Sequence, residues 1–204
     1  MTVTEIATLR LCIDEIDQDF KDVFKRALDI QNDWHIANFP HLPTTLVGRA
    51  SHCLQQVEDP RIILITANWD AYISSNPSDT VLLHVEGAIF GTEAAKPSQG
   101  SVSWLESADI SVERFFVDAR KKERFLGKVS VAKAAVERIA APYVVRDSWR
   151  VDIKHKTLLE CVLVIGWESA EKHQEFSQCP GFQCLTELKQ VAQGSDTKHY
   201  KILL

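Results

Sequence analysis

The sequence predicts an α+β chain built from two βαββαβ repeats whose sheets pack face to face. Two observations carry this prediction. Arg61-Ile62-Ile63-Leu64-Ile65-Thr66-Ala67-Asn68-Trp69-Asp70-Ala71 is echoed by Glu160-Cys161-Val162-Leu163-Val164-Ile165-Gly166-Trp167-Glu168-Ser169-Ala170. Each copy is an apolar, β-branched run of strand length, then Trp, an acid and a short polar helix start. The copies lie about 100 residues apart, the period of a duplicated unit. The second observation is that the elements around each copy recur in the same order.

In the first half, Glu5–Ile13 reads as a strand. Asp17–Ile36 reads as a helix, because Phe20, Val23, Phe24, Ala27, Leu28, Ile30 and Trp34 recur near helical spacing and Asp17 can cap the start. Pro40 and Pro43 end it. Thr44–Leu54 and Arg61–Trp69 are the second and third strands, with Glu58-Asp59-Pro60 as the turn between them. A helix around Ser78–Phe90, a small-residue linker at Ala94–Gly100 and a strand over Ser101–Ala108 complete the half.

The second half repeats the plan. Val112–Asp118 is a strand, and Arg120–Ala141 is a helix stopped by Pro142. Tyr143–Ile153 and Thr157–Trp167 pair as strands through Lys154-His155-Lys156. Ser169–Phe176 is a short helix broken at Cys179-Pro180-Gly181; Phe182–Gln193 is helical, and Lys198–Leu203 closes as a strand. The repeats are therefore 1–108 and 109–204, each a split, ferredoxin-like βαββαβ unit.

Such a unit carries its helices on one sheet face and leaves the other bare, and that bare face must be buried. Two units packed sheet to sheet solve the problem and are expected to enclose a small-molecule cavity.

Composition narrows the function. The 204 residues are 45% hydrophobic and 25% charged, ordinary for a globular protein. A net charge of −5 argues against nucleic acid, whose phosphates demand a basic face. No stretch approaches the roughly 20 apolar residues of a membrane span, and the N-terminus lacks a basic region followed by an apolar one. The expectation is a cytoplasmic protein with no membrane or nucleic-acid partner. Five cysteines without an export signal read as reduced thiols. The spacing of Cys179 and Cys184 matches no common metal or redox signature, so no metal is expected. No Gly-x-Gly-x-x-Gly, Walker loop or Gly-x-Ser-x-Gly elbow occurs, and no cofactor is expected.

At Trp167-Glu168-Ser169-Ala170-Glu171-Lys172-His173-Gln174-Glu175-Phe176 the chain resembles the antibiotic biosynthesis monooxygenase family, of the dimeric α+β barrel superfamily. The Trp69-Asp70-Ala71 stretch resembles a divergent first copy. The resemblance implies a two-sheet barrel whose lumen binds a small organic molecule. It also implies cofactor-independent oxygenation, cyclisation or isomerisation of a hydrophobic phenolic or polyketide-like substrate. Where oxygenase members carry an Asn four residues before the strand-end Trp, this chain has Ile65 and Leu163.

Strand parity and residue type select the site candidates. Trp69, Trp104, Trp149 and Trp167 are strand tryptophans that could line a pocket for a planar substrate. Arg10 and Arg49 are guanidinium candidates for an oxyanion, with Arg150 a further one. His52 is the candidate base and His84 a second pocket histidine, because both interrupt buried-looking segments. The competing reading is a non-catalytic barrel that binds a small ligand or a partner. A monomeric pseudo-dimer and a homodimer are both consistent with the tandem plan.

Overall fold

The computed structural model describes residues 3–13, 15–38, 51–69, 81–87, 89, 102–153, 157–179 and 181–204, with backbone only for His35, Asn68, Trp69, Val81 and Leu82. The chain groups into two compact units, Met1–Lys96 with Tyr200–Leu204, and Pro97–His199. Each is an α+β unit of the ferredoxin-like type.

The first unit holds β1 (Val3–Arg10), α1 (Gln18–Asn38), β2 (His52–Gln56), β3 (Ile62–Trp69) and β4 (Val81–Glu86). Its strand order is β4-β1-β3-β2. Helix α1 begins where the sequence places it, with the Asp17 carboxylate accepting from the Phe20 N–H at 2.8 Å. Its stripe of Phe20, Phe24 and Leu28 packs on Leu9, Cys53, Ile63 and Ile65. These sheet residues share one face, so α1 covers the odd-numbered side of β1, β2 and β3.

The second unit holds β5 (Asp109–Asp118), α2 (Lys122–Ala140), β6 (Val145–Trp149), β7 (Leu158–Trp167), α3 (Ala170–Phe176), α4 (Phe182–Val191) and β8 (Gly194–Ile202). Its order, β8-β5-β7-β6, is that of the first unit over again. Phe125, Val129, Ala132, Val136 and Ala140 of α2, with Leu185, Leu188 and Val191 of α4, cover Phe115, Val117, Val145, Cys161, Leu163, Ile165 and Trp167. The helix-covered face is again the odd-numbered one. The last residues of β8 belong to the first unit, where Tyr200, Lys201 and Ile202 pair with Gln56, Gln55 and Leu54 of β2.

Two predicted elements are corrected. The segment expected to be helical over Ser78–Phe90 contains β4, paired antiparallel with β1. Leu83 and Val85 are buried on one face while His84 points to the other, a period of two hidden in a short apolar run that periodicity alone reads ambiguously. The strand expected over Ser101–Ala108 is instead a 3-10 turn at Trp104–Glu106, with Val102 making one isolated bridge to Tyr143. Serines cause this change. Ser103 Oγ accepts from Leu105 N–H at 3.2 Å, and Ser107 Oγ donates to the Trp104 carbonyl, so side chains outcompete a ladder. The first part of the second predicted strand and the Ala94–Gly100 linker lie outside the described residues.

Candidate active site

The face of the first sheet that α1 does not cover carries the even-numbered residues. Cross-strand register builds it row by row. His52 of β2 stands opposite Thr66 of β3, Thr66 opposite Ile6 of β1, and Ile6 opposite Leu83 of β4. The next row is Ile202, Leu54, Leu64 and Thr8. Directly opposed residues of an antiparallel pair have Cβ atoms about 5 Å apart, so imidazole and hydroxyl are immediate neighbours.

This row is buried. His52 is 6% exposed, Thr66 0%, and Ile6, Leu54, Leu64, Leu83 and Val85 are all closed off. Thr66 Oγ1 is buried with no hydrogen-bond partner among the described residues. Leaving a hydroxyl so costs about 1–3 kcal/mol on mutational scales, and native proteins seldom leave such a group unpaired. Gln56 and Tyr200, paired across β2 and β8, add buried polar groups to the same face.

Thr4 lies in the adjacent row of the same face, opposite Asn68 of β3 and Val85 of β4. Its Oγ1 donates to the Gly87 carbonyl at 2.8 Å and accepts from the Ile89 N–H at 3.1 Å. Gly87 sits at φ 74°, where a Cβ would be strained, and lets the chain turn back so that Ile89 is buried.

The other candidates scatter. Arg10 shares the parity of His52, but it ends β1, is 60% exposed in its side chain and pairs with Asp59 at 2.5 Å. Asp59 is held below its ordinary pKa of 3.8, first by its hydrogen bond from Arg61 and also by the nearby charge of Arg10. His84 occupies the helix-side face, where its Nε2 meets Glu5 Oε2 at 3.3 Å. Its neighbour across the strands is therefore a carboxylate rather than the His52 row. Arg49 lies outside the described residues, as does the Trp69 side chain.

The three described candidate tryptophans, Trp104, Trp149 and Trp167, do not share a wall. Trp149 faces the helices, edge-on to Phe125 at 5.8 Å and beneath the Lys122 ammonium at 5.2 Å. Trp167 faces them too, stacked on His173 at 4.4 Å while its Nε1–H donates to Ser111 Oγ at 3.0 Å. These placements correct the expectation of a lining role: parity puts both among the odd-numbered core residues under α2 and α3. Trp104 is different. It is 1% exposed and lies against Gly166, on the face the helices leave uncovered; a Cβ added at Gly166 would sit 2.8 Å from both Cα and Cβ of Trp104.

No cysteine offers a thiolate at the core. Burial pushes the Cys53 thiol up to about 12 and drives Cys161 up as well, aided by Asp147 and Glu160. Among the described residues, no group of three or more His, Cys, Asp or Glu side chains could hold a metal ion.

With this geometry established, likenesses to known structures are informative. An anthrone oxidase-like protein superposes with a TM-score of 0.61 at 10% identity, covering 100% of this chain and 92% of the other. A ferredoxin-fold protein related to antibiotic biosynthesis monooxygenases, from Listeria monocytogenes 4b F2365, gives 0.52 at 11% identity over 100% and 95%. A candidate monooxygenase of Lactobacillus acidophilus NCFM gives 0.55 at 7% identity over 98% and 92%. This chain has their fold. No family model matches the sequence, and no curated protein does. No helix among the described residues is long and apolar enough to cross a membrane.

Thr66, Gln56 and Tyr200 were not singled out by sequence. Thr66 had a signal, being the lone hydroxyl in the apolar run Ile62–Ala67. Gln56 and Tyr200 had none, because their pairing joins residues at opposite ends of the chain.

Proposed function

We propose that the protein is a monooxygenase-like enzyme acting on a small hydrophobic molecule, with His52 as its base. The observation that carries this reading is the buried His52–Thr66 pair on an otherwise aliphatic sheet face. A neutral imidazole near physiological pH accepts a proton from a phenol or enol O–H, or from an acidic C–H beside a carbonyl. The substrate's electron pair then stays behind as an enolate or phenolate. Thr66 Oγ–H, adjacent and buried, donates to that developing oxyanion, where low dielectric strengthens the bond. Ile6, Leu54, Leu64 and Leu83 hold the apolar body and exclude water.

From the enolate, two outcomes follow. An electron-rich phenolate can pass an electron to molecular oxygen and combine with it, or the carbanion can attack a carbonyl of the same molecule and cyclise. Both start with the same proton transfer. The likeness in fold to an anthrone oxidase-like protein supports the first. Phenolic and polyketide-like substrates are the class proposed, with no added cofactor.

The test is turnover of a panel of anthrones, naphthols and linear polyketide mimics, with and without oxygen, in the presence of a chelator. Oxygen-dependent product that disappears in His52→Gln supports oxygenation; oxygen-independent product that disappears in the same variant supports cyclisation or isomerisation. Ligand binding without product in the wild type, unchanged in His52→Gln, would replace this reading with the binding-protein alternative.

A further inference from the structure

The two long helices use one side alike and another side differently. In each, the sheet-facing residues begin with a pair four apart, Phe20 and Phe24 in α1, Phe125 and Val129 in α2. Aligned on these pairs, Val23, Ile30 and Trp34 of α1 fall at Lys128, Ala135 and Ile139 of α2. In the second unit, α4 and the turn that starts it lie along that side. Lys128 pairs with Glu187, and a Cβ built on Gly181 would meet Ile139 Cδ1 at 3.0 Å and Ala135 Cβ at 3.7 Å. In α1 the same side reaches the surface: Val23 is 58% exposed and Ile30 70%, with Trp34 half-exposed and Ala27 exposed between them.

Single exposed apolar residues are ordinary. Residues 23, 27, 30 and 34 are not scattered, however. Their spacing of four, three and four keeps them in one narrow stripe along the helix, the pattern by which two helices pair.

The stripe itself selects the occupant. Along it the side chains run Val, Ala, Ile, Trp. Laid antiparallel on a second copy, Trp34 meets the partner's Val23 and Ile30 meets the partner's Ala27, larger against smaller in every layer. Laid parallel, the tryptophans would collide while the alanines left a gap.

Charge points the same way. Arg26 and Asp33, both exposed, each stand one residue before a stripe position, Ala27 and Trp34, on the side turned from the sheet. The antiparallel arrangement brings Arg26 beside the partner's Asp33, and its two-fold axis makes that pair twice.

We propose that this side of α1 is a docking surface for a second copy of the chain, the two α1 helices packing antiparallel. The proposal stands on α1 and does not depend on the role of His52. The test is sedimentation velocity of the full chain from micromolar to submillimolar concentration, where a reversible monomer–dimer equilibrium is expected. Ile30→Asp, at a position already exposed, should raise the dissociation constant about a hundredfold or more, because each dimer then carries two charges in its seam.

Arg26→Asp and Asp33→Arg should each weaken the dimer about tenfold by setting like charges opposite one another. The double variant Arg26→Asp/Asp33→Arg restores the pairing and should return to within about threefold of wild type. Val131→Asp, at a comparably exposed aliphatic of α2, should leave assembly unchanged. Circular dichroism checks that every variant folds. A monomer throughout the concentration range, a dimer indifferent to Ile30→Asp, or one dissociated equally by Val131→Asp overturns the proposal. A double variant no tighter than its singles overturns it too, since the antiparallel register requires the rescue.

Discussion

Three register positions in each sheet make the comparison. In the first unit they hold His52, Thr66 and Ile6; in the second, Arg146, Val164 and Val112. The positions correspond, since Thr66 and Val164 each lie three residues before the strand-end tryptophan, on the strand that pairs with β2 in the first unit and with β6 in the second. Two rows further on, the second unit carries Arg150, Glu160 and Phe116. One face thus leaves a hydroxyl buried without a partner, and the other clamps its buried carboxylate between two guanidiniums. The same backbone plan has been put to two uses. The contrast is between a hydroxyl with no partner among the described residues and a carboxylate with two.

Breaking the paired side should give the largest effect. Glu160→Ala removes the carboxylate that Arg114 and Arg150 share, and losing one partner of a buried pair costs about 3–5 kcal/mol. Both guanidiniums are about a quarter exposed, so the low end, about 3 kcal/mol by chemical denaturation, is expected. A loss below about 0.5 kcal/mol, the scatter of ordinary surface substitutions, would erase the contrast between the faces.

On the uncovered face of the first unit, His52→Gln should lower kcat by about a hundredfold or more, the usual contribution of a general base. Its stability should move little, which a denaturant melt checks.

Gly166→Ala probes the tryptophan that does lie on the uncovered face. The new Cβ would press on the Trp104 backbone, which cannot swing away, so overpacking of about 1–3 kcal/mol is expected. A neutral melt would mean that Trp104 sits elsewhere.

Thr66→Val sharpens the comparison by making the first unit resemble the second. Removing an unpartnered buried hydroxyl should stabilise the fold by about 1 kcal/mol, while turnover falls about tenfold for loss of one weak oxyanion donor. Opposite signs for stability and activity are the signature; a destabilised Thr66→Val would show that the hydroxyl is satisfied.

The smallest effect concerns acid. Asp118 ends β5 and accepts from the Arg120 N–H and guanidinium, and that bonding holds it well below its ordinary pKa of 3.8. A depressed carboxylate stabilises the fold fully above 3.8 and loses that contribution as pH falls through the lower folded value. Asp118→Asn should therefore melt slightly earlier than wild type at neutral pH, with the gap closing in strong acid.

Much of this protein was legible in its sequence. The strands β1, β3, β5 and β7 and the helices α1, α2, α3 and α4 follow from periodicity and from local stops such as Pro142, all short-range properties of the chain. The duplication was visible in the twin runs ending at Trp69 and Trp167, and it reappears as one strand order used twice. His52 was singled out as a polar ring interrupting a buried-looking run, and the structure buries it. What failed were places where local signals compete. The 81–86 run fits either period, and Ser103 and Ser107 turn a strand-like string into a 3-10 turn.

Parity could say that Asp147 and Trp149 share a face, but not which face α2 would cover. That choice is made by how the chain crosses from β5 to β6, so Trp149 and Trp167 became core while Trp104, off the strands, came to lie on the uncovered side. The pairing of Gln56 with Tyr200 and the Arg114–Glu160–Arg150 clamp likewise join residues far apart in sequence. Periodicity is set within a few residues of each position, whereas burial and partnership are set by whatever the folded chain brings alongside.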